Sequence, residues 1–196
     1  MYNRITQLLK TSDIVFDIGA YDCKHSILYA AKVQLVCAFE ASKKNIIKAQ
    51  EKLNQTDCNN IQLYHYAVCA NDGKALFRDS YGKNCCSGSI LAPTAILHQD
   101  FPNMYFEEPY AVPAISLDSF IVEHQITPTV LHIDVQGAEF LVLSGITTCK
   151  PRLILAEYNT TKRYAGSRPF HEMLIGRGYE ELARNKRDVL YQLGYV

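Results

Sequence analysis

The 196-residue sequence has no excess of charge of either sign, because 20 Lys and Arg offset 20 Asp and Glu. A chain that held nucleic acid by its phosphates would carry a basic surplus, so no nucleic-acid partner is expected. The basic pairs Lys43-Lys44, Lys162-Arg163 and Lys186-Arg187 read as solvated faces. No apolar run approaches the ~18 residues that span a bilayer, so no membrane span is expected. Residues 1–12, MYNRITQLLKTS, lack an apolar core with a small-residue cleavage site, so no signal peptide is expected. The 7 cysteines include no CxxC pair, which argues against a disulfide framework or zinc site and for reduced thiols in the cytoplasm. Only Cys85 and Cys86 cluster, as the one pair open to redox chemistry. Repeats, low-complexity tracts and linkers are also missing. What remains is 48% hydrophobic, enough to build one core, and one domain over 1–196 is expected.

Apolar runs of strand length recur at 14–18, 35–39, 61–68, 130–135 and 153–157. Helical periodicity falls between them at 24–33, 43–54 behind Ser42 as N-cap, 138–143 and 169–176. Strands over 179–183 and 189–194, joined by 184–188, add an antiparallel end. Asn71-Asp72-Gly73 leading into 74–78 reads as a small hairpin. Such alternation predicts an α/β three-layer sandwich on a mostly parallel sheet, since parallel strands need crossovers. Residues 79–113 show weak periodicity and carry Tyr81, Phe101, Tyr105, Phe106 and Tyr110. A segment that long predicts a lid or acceptor-binding insert, or else disorder, with Tyr105, Phe106 and Tyr110 along an acceptor pocket or packed in a core patch.

In an open α/β sheet, ligands bind beyond the carboxyl ends of the strands. Here those ends read Asp17-Ile18-Gly19-Ala20-Tyr21, Glu40-Ala41-Ser42, Ala67-Val68, Asp134-Val135-Gln136-Gly137 and Glu157-Tyr158-Asn159. Gly19 permits a tight turn and a close approach to backbone. Glu40, 23 residues after Asp17, stands where an acid takes two ribose hydroxyls, or else where it faces a helix dipole. Tyr21 and Cys23 replace the glycines that would admit a pyrophosphate, which favours a smaller nucleoside over a dinucleotide. His132 and Asp134 share a strand face, so Asp134, His132 and Glu157 are candidate bases, His132 with a core role as its alternative. Asp134 with Glu157 or Asn159 offers oxygen ligands for a hard cation, but without a fixed motif no metal is expected. His25, His65, His98, His124 and His171 show no zinc spacing.

VFDIGAYDC, VCAFEAS, the AV and DG pairs at 67–73, ISLDSF, LHIDVQGAEFLVLSG and LILAEYN follow one another in order. This series resembles the FkbM-type S-adenosylmethionine-dependent methyltransferases from about residue 13 onward. The resemblance implies a class I methyltransferase fold, S-adenosyl-L-methionine as cofactor, and O-methylation of a hydroxyl on a small molecule or glycan. It implies that Asp17, Gly19, Ala20 and Tyr21 hold the methionine moiety and Glu40 the ribose. Ala41 and Ser42 with Ala67 and Val68 would hold the adenine, and Asp134 would close the site beside the methyl group. Ser87 and Ser89 resemble the serine-rich turn before the family's acceptor region. Tyr21, Cys23 and His132 depart from the residues common in the family. Two other readings compete: a nucleotide-dependent oxidoreductase, which NADH binding would reveal, and a non-catalytic module, which would not bind S-adenosylmethionine.

Overall fold

Strands covered on both faces read as short unbroken apolar runs, and this chain has several. That constraint organises the chain. A computed structural model describes residues 1–83, 86–158 and 162–194. In chain order the elements are α1 (Tyr2–Leu8), β1 (Ile14–Ile18), α2 (Lys24–Ala30), β2 (Leu35–Phe39), α3 (Lys43–Leu53), β3 (Ile61–Tyr64) and β4 (Ala67–Val68). Then come β5 (Gly73–Phe77), β6 (Ser80–Gly82), α4 (Ala95–Asp100), β7 (Met104–Phe106), β8 (Tyr110–Ile115), α5 (Leu117–His124) and β9 (Val130–Ile133). The chain ends with α6 (Glu139–Ser144), β10 (Leu153–Glu157), α7 (His171–Gly176), β11 (Tyr179–Arg184) and β12 (Asp188–Leu193).

Seven strands form the main sheet in the order β11-β12-β10-β9-β1-β2-β3. All neighbours are parallel except β12, which runs antiparallel to both β10 and β11. Phe16, Ile18, Phe39, Leu131 and Ile133 pack one face against Leu117 and Phe120 of α5, Val142 of α6 and Leu174 of α7. Val15, Val36, Val130 and Leu155 pack the other against Ile5 of α1 and Tyr29 of α2. The three-layer α/β sandwich with an antiparallel end therefore stands as the pattern predicted. Strand order reverses between β1 and β9, which opens the crevice where such sheets bind ligands.

Periodicity failed elsewhere, for identifiable reasons. The run 61–68 is not one strand: the His65 ring nitrogen lies 3.0 Å from the Ala41 carbonyl oxygen where the chain leaves the sheet. Ala67 and Val68 then join β8 in a separate three-stranded sheet of order β4-β8-β5. The Asn71–Gly73 turn makes no local hairpin either, since β5 pairs with β8 some forty residues on. Asp72 instead accepts hydrogen bonds from Ser116 N (2.7 Å) and Ser119 Oγ (2.6 Å) at the start of α5. Helices α1 and α5 form where periodicity predicted none, one short and the other held by its cap. Within 79–113 the chain builds α4, the β6–β7 ribbon and most of β8.

Asp118, in the first turn of α5, accepts from the amides and hydroxyls of Thr147 and Thr148, at 2.6–3.0 Å. Burial is the largest single influence and opposes ionisation, but the donors together prevail and hold its carboxyl down at about 2. Asp118→Ala is expected to cost about 1 kcal/mol at pH 7, the site being largely screened by solvent. A depressed carboxyl stabilises above its unfolded value and stops doing so as pH falls through its folded one. Urea midpoints should therefore differ between the two proteins at pH 7 and converge near pH 2. A gap that persists at pH 2 would rule out the charge as its source.

Candidate active site

The loops after β1 and β9 meet at Gly19. Its φ is +84°, and a Cβ there would overlap the carbonyl oxygen of Asp134. The close approach inferred for this glycine is thus to the protein's own backbone. Gly19 N and Ala20 N both donate to the Phe39 carbonyl at 2.9 Å, and Asp134 N donates to Ile18 at 2.9 Å. Tyr21 (φ 51°) and Cys23 (φ 60°) take the left-handed backbone that glycine adopts freely, so the loop keeps a glycine-like course without glycine. The Tyr21 amide donates to Glu40 Oε2 at 2.7 Å, which anchors that course.

Glu40 stands on the wall of a cavity, with Gly19, Tyr21, Ala41, Asn45, Ala67, Val68 and Phe77 around it. Its Oε1 accepts from Ser42 N at 2.7 Å. Burial is the largest influence on this carboxyl and pushes it up to about 7, against the pull of its amide donors. Asn45 is buried beside it, and its Oδ1 has no hydrogen-bond partner among the described residues. A buried acceptor without a donor is rare in a finished core. Ser42 Oγ caps α3 and donates to Asp79 Oδ1 (2.6 Å), while the Tyr110 hydroxyl donates to Asp79 Oδ2 (2.8 Å).

A second, wider cleft of about 1750 Å³ adjoins the first. Gly19, Tyr21, Cys86, Asp134 and Gln136 line both, so the two spaces share one junction. Beyond it lie Tyr2, Asp22, His25, Phe101, Glu157, Arg163, Tyr164 and Arg187. Gln136, in left-handed backbone at φ 53°, donates through Nε2 to Asp134 Oδ1 and to Glu157 Oε2, each at 2.6 Å. Arg187 reaches the same carboxylates, Glu157 Oε1 at 3.2 Å and Asp134 Oδ2 at 3.7 Å. Burial and the facing Asp134 charge push the Glu157 carboxyl well up despite Arg187.

Asp17 and His132 are register partners across β1 and β9. Asp17 Oδ1 lies 2.6 Å from His132 Nδ1, and Ser26 Oγ donates to Oδ2. Burial alone would push both groups toward neutrality. Their mutual attraction prevails, so His132 is held above its usual value and Asp17 below its own.

An FkbM methyltransferase domain matches residues 17–195. The chain belongs to the FkbM methyltransferase family. The solved structure of a methyltransferase FkbM from Methylobacillus flagellatus KT is similar at TM-score 0.55 and 17% identity, over 94% of this chain and 44% of that one. This chain thus spans less than half the length of that relative. A rRNA methylase from Streptococcus thermophilus is similar at TM-score 0.54 and 11% identity, over 99% of this chain and 94% of its own. TrmK of M. capricolum, solved with S-adenosylhomocysteine, is similar at TM-score 0.52 and 9% identity, over 98% and 67%. No curated protein matches the sequence. At these identities the likenesses show the fold, a Rossmann-like class I methyltransferase sheet.

Of the site residues expected from the sequence, Gly19, Tyr21, Glu40, Ala41, Ala67, Val68 and Asp134 line the first cavity, and Ala20, Ser87 and Glu157 the second. Asp17 and His132 line neither, because each is spent on the other. Ser42 and Tyr110 are also turned to structural work, on Asp79. Ser89 is buried and donates to the Gln136 carbonyl at 2.9 Å. Tyr105 stacks on Tyr81 along the β6–β7 ribbon at 5.4 Å, away from both cavities. Phe101 and Tyr164 supply the aromatic faces instead. In segment 79–113, Cys86, Gly88 and Ile90 wall the first cavity, and Leu97, Phe101 and Met104 the second. Asn45, Gln136, Arg187 and His25 escaped sequence reasoning. Arg187 belongs to a pair read as a solvated face, and only the β11–β12 turn brings it to the carboxylates. Among the described residues no metal-binding cluster of three His, Cys, Asp or Glu forms, while Asn159 and Cys85 lie outside them.

Removing His132 leaves Asp17 charged in the core. His132→Ala is expected to lower unfolding free energy by about 3–5 kcal/mol. A raised histidine stabilises fully below its unfolded value, near 6.5, and its share is lost as pH climbs through the higher folded value. Urea midpoints should therefore decline toward pH 9 in the parent protein and decline less in the variant. Parallel pH dependence in both would mean the pair is uncharged.

Proposed function

We propose that this chain is an S-adenosylmethionine-dependent O-methyltransferase acting on a neutral, hydroxyl-rich small molecule or glycan. The observation that carries this reading is the orphaned Asn45 Oδ1 beside Glu40, in a cavity that opens at Asp134 and Gln136 into a larger cleft. These residues fit an adenosyl group. Glu40 would take the ribose hydroxyls and Asn45 Oδ1 a further donor, while Ala67, Val68 and Phe77 offer apolar faces to the base. Gly19, Ala20 and Tyr21 would run along the methionine moiety. When bound, S-adenosylmethionine supplies an electrophilic methyl group on a sulfonium. The protein's part is to position an acceptor hydroxyl at the junction, exclude water and take up a proton. Asp134, bound to Gln136 beside Arg187, would fix the acceptor's approach, and Glu157 would stand as an acid beside it.

The acceptor follows from the second cleft. Tyr2, Tyr21, Phe101 and Tyr164 line it together with the carboxyl groups of Asp22, Asp134 and Glu157. Rings beside carboxylates suit the apolar faces and hydroxyl rims of sugars. Lys24, Arg163 and Arg187 balance the three carboxyl groups of the cleft, and the zero net charge leaves no basic surplus for a phosphate-rich acceptor. Free cysteines among the described residues are in keeping with a reducing, cytoplasmic setting.

Calorimetry with S-adenosylhomocysteine tests the cofactor half. Glu40→Ala is expected to weaken binding by about 1–3 kcal/mol through loss of a charged acceptor. Because ribose hydroxyls prefer the ionised carboxylate, parent affinity should fall as pH drops below about 7 and level off above it. Unchanged affinity in the variant would remove Glu40 from the site. A mass-shift screen of glycosides and hydroxylated aromatics then tests the acceptor half.

A further inference from the structure

Of the groups expected to deprotonate an acceptor, each has other work. His132 is tied to Asp17 outside both cavities, and Asp134 and Glu157 share Gln136 and Arg187. His25 is different. It lines the acceptor cleft from the first turn of α2, and its ring nitrogens have no hydrogen-bond partner among the described residues. Its ring is nonetheless fixed. Tyr2 stacks on it at 3.8 Å and 11°, and the His132 ring meets it edge-on at 5.4 Å.

We propose that His25 is the general base of the methyl transfer, accepting the acceptor's hydroxyl proton at a free ring nitrogen. The proposal rests on the methyltransferase reading. As the acceptor oxygen bonds to the methyl carbon, the carbon–sulfur bond breaks and leaves its electron pair on sulfur. The hydroxyl proton passes to His25, which becomes an imidazolium and later releases it to solvent.

The surroundings suit a base at neutral pH. Burial and the neighbouring His132 charge, with a smaller push from Lys24, lower His25, while Asp17 and Asp134 pull the other way without prevailing. Tyr2 and Tyr29, the other titratable rings against it, stay protonated because burial raises both. The Asp17–His132 pair thereby acts on the cleft from inside the core. The charge on His132 adds to the burial that lowers His25 and outweighs the opposing pull of Asp17.

Two measurements test the base. In the S-adenosylhomocysteine complex, with no acceptor present, the His25 Cε1–H signal is assigned through its contacts to the Tyr2 ring. It is expected to titrate below the ordinary ~6.5 of histidine. Titration above that value, or none at all, would overturn the proposal whatever the acceptor. Labelled methyl transfer to methyl glycosides of hexoses and deoxyhexoses is then compared in His25→Gln. The variant is expected to lose about 10²–10⁴-fold in kcat and the acid limb of the pH profile, and to keep its S-adenosylhomocysteine affinity. An unchanged rate, or a rate lost only in step with S-adenosylhomocysteine affinity, contradicts the proposal. If the parent protein binds no S-adenosylhomocysteine, the methyltransferase reading itself fails. If it binds but methylates no glycoside, the acceptor assignment fails, while a His25 that titrates above its ordinary value or not at all still overturns the base.

Discussion

Everything at the carboxyl edge of the sheet depends on how closely Gly19 approaches the Asp134 carbonyl. No side chain fits between them, so the loops after β1 and β9 lock together where the strand order reverses. The first cavity lies on one side of that contact and the wider cleft on the other. Gly19, Tyr21, Asp134 and Gln136 line both because they form the seam. A transfer reaction needs two binding spaces that touch at one point, and this backbone contact creates the point of touch.

Charge is handled differently on the two sides of the seam. Around Glu40, burial lifts the carboxyl toward neutrality against the pull of its amide donors. Across the seam, Asp134 and Glu157 crowd together, and Gln136 and Arg187 hold them in place. One layer deeper, Asp17 and His132 neutralise each other inside the sheet. Deleting one member of that pair exposes the other to the full cost of burial, whereas replacing both would not.

The central strands were legible because burial on both faces writes an unbroken apolar run, as in 14–18, 35–39 and 153–157. Glu40 was legible because its spacing from Asp17 measures one strand–helix–strand unit. The β5–β8 pairing was not, since long-range pairing leaves no local trace and Asn71-Asp72-Gly73 reads the same before any turn. Arg187 and His25 were hidden for a related reason. A basic residue in a turn and a histidine in a short helix look ordinary until topology brings them to the cleft. Asp17 misled in the opposite way: its position at a strand end suggested a ligand contact, yet its strand partner is a histidine that claims it. Tyr105 and Tyr110 matched an acceptor pocket in type, while the ribbon and Asp79 had other uses for them.

The central claim is that one ligand lies with its nucleoside at Glu40 and its sulfur at the seam. The most direct measurement is a crystal structure of the protein with S-adenosylhomocysteine. Expected are ribose hydroxyls on Glu40, a ligand donor on Asn45 Oδ1, the base against Ala67, Val68 and Phe77, and the sulfur facing Asp134 and Gln136. A nucleoside lodged instead in the wide cleft between Tyr2, Phe101 and Tyr164, with Glu40 untouched, would contradict it.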